Sequence, residues 1–532
     1  VNRFDALPHI AARYARRRAR YVDNGLWPDE TLASAFARAA TEHPDQQWTF
    51  LIDGNTSTYP FAELADHAWD FAGRLSAVGL KPDDPVVAVA LPNAPGAVSA
   101  CYGAMAAGWV AFPVSMREGN ETLGELLETV GVHSLVVAAD DEQRIGWARE
   151  FLAAGRLRQL WLAAENGAIR PADPGPGNIP YPIIPPVSDG VHVITYTSGS
   201  TQKPKVVLYT DAQLIAESDS LRDVFAGWGA VLVPSPVGHI TGILHLLTIP
   251  LRRPADVVAM DKWNPEVAVD LCRKFGAECL AGTSLYYQAM GNVSPDLGGL
   301  RGGMAGGGPV APIIAERLQE HGIRLVRSYG STEHPTITQS RGDDPLADRG
   351  YTDGRPNVGV ELRLVDEEGR PVAIGSPGEI FSRGPDAMAG YLDVALDAEA
   401  YDDEDWVRTG DVGIIDEQGR LTISDRVKDI VIRGAENISA KEVEDVVFQW
   451  DAVEEASLIG VPDAMYGERA CIYVIAKRPV TLDDLKAYLA TTRLEKFKWP
   501  EYLVALDDDF PRSASGKVRK QTLREMWAKA NT

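Results

Sequence analysis

Between Thr195 and Thr210 the chain reads "TYTSGSTQKPKVVLYT". Five small hydroxyl or glycine residues, Thr197, Ser198, Gly199, Ser200 and Thr201, precede two lysines that flank a proline. Gly199 lets the backbone come close to a ligand. The hydroxyls and neighbouring main-chain N–H groups form a concavity suited to phosphate oxygens. Lys203 and Lys205 add positive charge, Pro204 stiffens the exit, and Thr210 is placed to cap a helix beginning near Asp211. Taken alone, such a run also serves as an ordinary turn. No register of it satisfies the G-x-x-x-x-G-K-[ST] nucleotide loop.

Other chemistries find less support. Gly306-Gly-Gly-Pro-Val-Ala311 fits G-x-G-x-x-A, but Pro309 and Pro312 interrupt it and no acidic residue sits in a βαβ context, which argues against a dinucleotide site. Neither G-x-S-x-G nor H-E-x-x-H occurs, removing common hydrolase and zinc-protease readings. Cys101, Cys272, Cys279 and Cys471 are scattered without a C-x-x-C pair; they read as reduced thiols of a cytoplasmic protein and carry no metal signal. The net charge of -23, from 52 basic and 75 acidic residues, argues against nucleic-acid or anionic-membrane partners, although it leaves a local phosphate site open. The one basic run, Arg13 to Arg20 in "RYARRRAR", reads as a solvated helix face.

The elements that must position this loop follow from apolar patterning. A chain of 532 residues exceeds one compact core. Val86 to Leu91 suits a strand buried on both faces, and Val110 to Val114 suits the next, with a small-residue helix between them. The prolines and glycines inside this stretch argue against a membrane span. Ser134–Ala138, Val231–Val233 and Glu278–Ala281 repeat the parallel βαβ pattern. Glu165 to Gly190 reads as an irregular, Pro- and Gly-rich connection. From about Gly354 to Thr422, short alternating strands with Gly turns predict an antiparallel β region. Beyond Asp425, apolar residues at helical spacing (Val443, Val446, Val447, Trp450; then Leu482, Leu485, Leu489) predict a separate small α+β unit.

Six further blocks accompany the opening loop: "PSPVGHITG", "GGGPVAP", "SYGSTEH", "WVRTGD", "DRVKDIVIRGAENISAKEVE" and "PRSASGKVRK". With "YTSGSTQKPKVV", and in this order, they resemble the adenylate-forming superfamily of acyl- and aryl-CoA synthetases, adenylation domains and luciferase-like enzymes. The resemblance runs from about residue 25 nearly to the end. It implies an α/β fold with a large N-terminal AMP-binding domain over residues 1–424. That domain would combine mixed and parallel sheets flanked by helices with a distorted β-barrel region at about 340–424. Residues 425–532 would form a small mobile α+β domain.

The resemblance also implies roles. Thr197, Ser198, Gly199, Ser200, Thr201 and Lys205 would hold phosphates. Gly306, Gly307 and Gly308, with Ser328, Tyr329, Gly330 and Ser331, would border adenine, Tyr329 offering its flat face. Glu333 would bind Mg²⁺, with Thr332 on a phosphate. Asp411 would accept both ribose hydroxyls, and Arg426 would contact ribose or phosphate. His239, Thr241, Gly242, Thr283, Ser284 and Gly308 would line the acid pocket. Lys517, read alone as a solvated lysine in a basic tail, would bridge substrate carboxylate and α-phosphate. Asp425 would be the hinge, and Gly434 and Asn437 would line the thioester tunnel.

The implied partners are ATP, Mg²⁺, a carboxylic acid and coenzyme A, in a cytoplasmic monomer or homodimer. The alternative acceptors are a carrier-protein thiol, an amine or an inorganic nucleophile such as nitrite. The polar pocket edge leans toward a compact aromatic or cyclic acid. Gln202 and Val206 stand where the family loop has glycine, which predicts altered loop closure. Asp211 stands where a histidine is common.

Overall fold

The computed structural model describes residues 3–78, 85–172, 190–197, 204–221, 224, 227–294, 296–308, 310, 312–366, 368–426, 429–433, 436–463, 465–512 and 518–531. The chain divides into two compact units, Val1–Glu361 with Ser382–Val407, and Leu362–Phe381 with Arg408–Thr532.

The first unit holds two large sheets. The eight-stranded one runs Gly390–Tyr391, Lys205–Thr210, Val191–Thr197, Val110–Pro113, Val86–Ala90, Ser134–Ala138, Gln159–Ala163, Ile169–Pro171. Its central pairs are parallel, as the apolar runs predict. Every residue of Val86–Ala90 is buried. Val87 and Val89 face a core with Trp48, Phe50, Phe71 and Tyr102, while Val86, Ala88 and Ala90 face Leu123, Leu126 and Leu127. Period-two alternation thus serves two cores from one strand.

The nine-stranded sheet runs Arg355–Pro356, Thr338–Gln339, Arg324–Tyr329, Gly302–Ala305, Ala277–Gly282, Ala230–Val233, Asp256–Met260, Gln47–Ile52, Asn55–Pro60. Its six central strands are parallel. Helix Pro95–Ala106 is buried along its whole length, which explains its Ala- and Gly-rich sequence.

The basic run corrects the sequence reading. In helix Pro8–Tyr21 the buried residues are Ile10, Arg13, Arg17 and Tyr21, a helical stripe. Arg13 pairs with Asp397 at 2.6 Å. Arg17 donates to the Ala387 and Met388 carbonyls at 2.8 and 2.7 Å. Arg18 remains exposed.

Glu361–Val365, Gly378–Arg383, Val407–Ile415 and Leu421–Arg426, most of whose residues belong to the second unit, form a four-stranded sheet. A five-stranded sheet follows, with Gly467–Ala476 at its centre and Val453–Asp463 antiparallel to it at the edge. Helices Ala440–Phe448 and Leu482–Leu489 cover one face through Val443, Val447, Leu485 and Leu489. Helix Lys520–Ala530 covers the other through Leu523. No helix among the described residues is long and apolar enough to cross a membrane.

Candidate active site

Strands Val191–Thr197 and Lys205–Thr210 pair antiparallel, with Thr197 directly opposite Lys205. They form the base of a hairpin; Ser198, Gly199, Ser200, Thr201, Gln202 and Lys203, between them in the chain, lie outside the described residues. The Lys205 ammonium lies 5.5 Å from the centre of the Tyr391 ring, a cation–π approach. Val206, where the family loop has glycine, is buried in the cluster of Phe112, Tyr196 and Leu208. That departure therefore fills core volume. Helix Asp211–Ser220 starts where expected, and the Gln213 side chain accepts from the Thr210 N–H at 2.9 Å. Asp211 is buried and meets His192 Nδ1 at 2.8 Å, so an acid and a histidine are both present, on facing elements.

The hairpin strand Lys205–Thr210 also pairs with Gly390–Tyr391. This brings in a residue that sequence reasoning missed. The Tyr391 hydroxyl donates to Glu333 Oε1. Burial, and then the Glu333 carboxylate, push the phenol far above its usual range, so it keeps its proton and remains a donor. Only a two-residue strand carries Tyr391, too short for any periodicity to register.

Glu333 sits in a tight turn. Ser331 Oγ accepts from the Glu333 and His334 N–H groups at 3.1 and 3.2 Å. The Tyr209 hydroxyl donates to the Thr332 carbonyl at 2.6 Å, and Met388 N–H to the Glu333 carbonyl at 2.8 Å. His334 is fully buried, with Nδ1 2.8 Å from Ser382 Oγ and Nε2 3.2 Å from Asp386 Oδ1. Thr332 and Glu333 stay half-buried and accessible. Tyr209, His334, Ser382 and Asp386 went unassigned in the sequence, because nothing in their spacing marks a network closed by tertiary contact.

The carboxyl ends of parallel strands supply the next group, as in other open α/β sheets. Gly306 N–H donates to the Gly282 carbonyl at 2.9 Å. A Cβ on Gly306 would stand 2.4 Å from Ser328 Oγ and displace that hydroxyl. Gly307 and Gly308 are exposed beyond it, and Thr283 approaches Gly307. Tyr329 and Gly330 are half-buried at the end of Arg324–Tyr329. Ser284 opens the helix Ser284–Val293. The Trp263 and Tyr286 rings stack obliquely 4.3 Å apart, beside Gly282.

His239 precedes the helical turn Ile240–Gly242 and is half-buried, as is Thr241. Thr195 Oγ1 donates to the Gly238 carbonyl at 3.3 Å, tying this turn to the hairpin. Gly242 has a packing reason of its own: a Cβ there would lie 1.9 Å from the Pro236 carbonyl oxygen. His245, a turn later, is fully buried; burial lowers its pKa to about 4, and it stays neutral against the Thr241 carbonyl.

In the second unit, Asp411 and Arg426 stand opposite each other across two antiparallel strands. Arg426 Nε meets Asp411 Oδ1 at 3.0 Å. Thr409 Oγ1 accepts from the Asp411 N–H at 3.1 Å. Asp425, one residue earlier, is buried; Lys441 N–H donates to it at 3.4 Å. Gly434 and Lys517 lie outside the described residues. Asn437 falls in the strand Glu436–Ile438, opposite Ile432. The segment bearing Lys517 is closed at its base by an antiparallel bridge between Arg512 and Val518. Lys520, three residues after Lys517, pairs with Glu444 at 2.8 Å. The four thiols are buried, and burial raises Cys101, Cys272 and Cys471 to about 12, leaving them unreactive.

This fold, with Lys205 at the base of the hairpin beside Tyr391 and the glutamate that Tyr391 supports, is that of the adenylate-forming enzymes. A sequence model described as "AMP-binding enzyme" matches residues 36–392, and one described as "AMP-binding enzyme C-terminal domain" matches residues 442–517. The chain belongs to this family. It is 30% identical over 545 residues to the medium-chain fatty-acid–CoA ligase of Escherichia coli (strain K12), covering 96% of this chain and 93% of that one. It is also 30% identical over 516 residues to a feruloyl-CoA synthase of an Amycolatopsis species, covering 94% and 99%. The crystal structure of ATP-bound MatB from Rhodopseudomonas palustris superposes with a TM-score of 0.83 at 24% identity, over 94% of this chain and all of that one.

Proposed function

We propose that the chain is an AMP-forming acid–CoA ligase that activates a carboxylic acid with ATP and passes the acyl group to coenzyme A. The observation that carries this reading is the constellation at the hairpin base: Thr197 opposite Lys205, Lys205 over Tyr391, and Tyr391 donating to Glu333. Family membership and the full-length similarity to CoA ligases support it.

Magnesium fits this donor set. Among the described residues no group of three His, Cys, Asp or Glu could hold a metal ion, and Mg²⁺ bound mainly through phosphates needs only one or two carboxylates. Tyr391 occupies Glu333 Oε1, which leaves Oε2 for the cation. Bound there, Mg²⁺ would neutralise phosphate charge.

The protein's own groups then divide the work. The hairpin amides and hydroxyls, with Lys205, cradle the phosphates. Asp411, held in place by Arg426, accepts the ribose hydroxyls. Lys517 sits between two anions that repel each other, the acid's carboxylate and the α-phosphate. A carboxylate oxygen attacks the α-phosphorus and the bond to pyrophosphate breaks. The thiolate sulfur of coenzyme A next attacks the acyl carbon, AMP leaves, and the thiol proton passes to solvent. Asp425 serves as the pivot between the two steps, and the backbone around Gly434 and Asn437 flanks the pantetheine arm.

The acid is a compact aromatic or cyclic one. Supporting this are the half-buried His239, Thr241 and Thr283 and the oblique Trp263–Tyr286 stack beside Gly282. The test is carboxylate-dependent ATP–pyrophosphate exchange across aromatic, cyclic and straight-chain acids, then AMP release with coenzyme A and other acceptors. Exchange with no acid at all would sink the reading.

A further inference from the structure

Behind the Glu333 turn lies a carboxyl pair that the proposed chemistry does not use. Glu217, on helix Asp211–Ser220, and Asp386 are both essentially inaccessible to solvent. Glu217 Oε1 accepts from the Thr336 hydroxyl at 2.5 Å. Asp386 Oδ1 meets His334 Nε2 at 3.2 Å. The remaining oxygens, Glu217 Oε2 and Asp386 Oδ2, are buried and make no hydrogen bond of good geometry; the Ser220 hydroxyl lies near Glu217, and the two carboxyl groups lie within hydrogen-bonding reach of each other. Two carboxylates cannot bond to each other without a proton, and two bare charges in such a place would repel strongly.

We propose that Glu217 and Asp386 share one proton, with Glu217 the acid, and that this pair is a positioning device for Glu333. Glu217 grips the segment after the turn twice, directly at Thr336 and through Asp386 at His334. His334 in turn is hydrogen-bonded to Ser331, and Ser331 caps Glu333. The assignment of the proton follows the partners. Asp386 faces an imidazole nitrogen, which favours its carboxylate, whereas Glu217 faces the Thr336 and Ser220 hydroxyls, whose pull is outweighed by burial and the neighbouring Asp386 charge. Burial and the Asp386 charge push Glu217 well above the usual carboxylate range, and His334 holds Asp386 below it despite burial. Tyr21 and Tyr209 also face Asp386, and both are phenols raised by burial, so they add no charge.

The inference that Glu333 is what the pair positions rests on the proposed function; the shared proton does not. Two measurements keep them apart. Infrared difference spectra of the whole chain without substrate, wild type against Glu217→Gln at pH 8, should show a protonated-carboxyl stretch that shifts in D₂O and belongs to the wild type only. Absence of that band overturns the shared proton. The second measurement is the Mg²⁺ concentration that half-saturates ATP binding. Glu217→Gln keeps a donor toward Asp386 and should stay within about threefold of wild type. Glu217→Leu should raise the requirement about 10-fold, the usual cost of losing an outer hydrogen-bond partner. If Glu217→Leu does not fold, Thr336→Val should raise it by a smaller factor in the same direction. An unchanged Mg²⁺ requirement in folded Glu217→Leu, or in Thr336→Val where Glu217→Leu does not fold, overturns the positioning role. A wild type that does not bind ATP removes that role together with the functional reading, while the infrared band still decides the proton.

Discussion

The Ser331–His334 turn of the first unit and the joint around Asp425 in the second are held in opposite ways. The turn is fixed by hydrogen bonds among hydroxyls and backbone groups, Glu333 N–H to Ser331, Tyr209 to Thr332 and Met388 N–H to Glu333, and by the fully buried His334–Asp386 contact at 3.2 Å. Each neutral bond contributes about 1 kcal/mol net, and their geometry is insensitive to salt. The joint depends on charge. Lys520 pairs with Glu444 at 2.8 Å, Arg524 with Asp429 at 3.4 Å, and the buried Asp425 is reached by Lys441 N–H at 3.4 Å. Ser439 Oγ adds a bond to the Ser424 carbonyl at 2.8 Å. The site proposed for Mg·ATP would gain from the first construction, and the pivot proposed at Asp425 would gain from the second.

The sharpest way to break this contrast is to remove the group the pivot is proposed to deliver. Lys517→Ala should cost about 10²–10³ in acyl-AMP formation, the usual price of one preorganised charge donor. Thioester formation from supplied acyl-AMP should survive. Near-normal pyrophosphate exchange in that variant would show that the second unit delivers nothing to the first step.

The turn is tested by its own donors. Glu333→Gln should lower kcat/KM for exchange about 100-fold and raise the Mg²⁺ requirement. Tyr391→Phe, which removes only the bond to Oε1, should cost about 10-fold, in the range of an outer-sphere partner. If Tyr391→Phe matched Glu333→Gln, the phenol would be touching substrate and not supporting the glutamate. Asp411→Asn keeps one acceptor oxygen, and its cost should appear as a several-fold higher KM for ATP with kcat little changed.

The two constructions also differ in how far the sequence discloses them. Buried parallel strands were legible because their signal is local: Ser134–Ala138 matches to the residue, and Val86–Ala90 and Val110–Pro113 within one. Helices Ala440–Phe448 and Leu482–Leu489 follow from their apolar stripes. Asp411 and Arg426 came from separate blocks, and the structure pairs them in one register. What stayed hidden was whatever depends on distant partners. Tyr391 reaches Glu333 across 58 positions, and Glu217 meets Thr336 across 119. Arg13 and Arg17 looked like surface because charge normally is, yet carboxylates and free carbonyls in residues 387–405 make their burial affordable.

The smallest effect separates the two regions by pH. Burial raises both Asp425 and Glu444 above the ordinary carboxylate range, against the pull of Lys520. Between the unfolded values near 4 and the raised native ones, the native state therefore holds more protons than the unfolded state. The second unit should thus lose stability as pH rises from about 5 toward neutrality. Asp463, Asp484, Glu495 and Asp509 are lowered and carry the opposite sign, but their window lies below about 4, where they would be losing native charge. Hydrogen exchange of the strands Val453–Asp463 and Gly467–Ala476, followed from pH 5 to 8 after correction for intrinsic rates, reads this slope. Glu444→Gln should flatten it. Lys520→Met should steepen it, since both carboxylates then lose their compensating cation. An unchanged slope in both variants would mean that charge does not hold the joint, and its contrast with the turn would disappear.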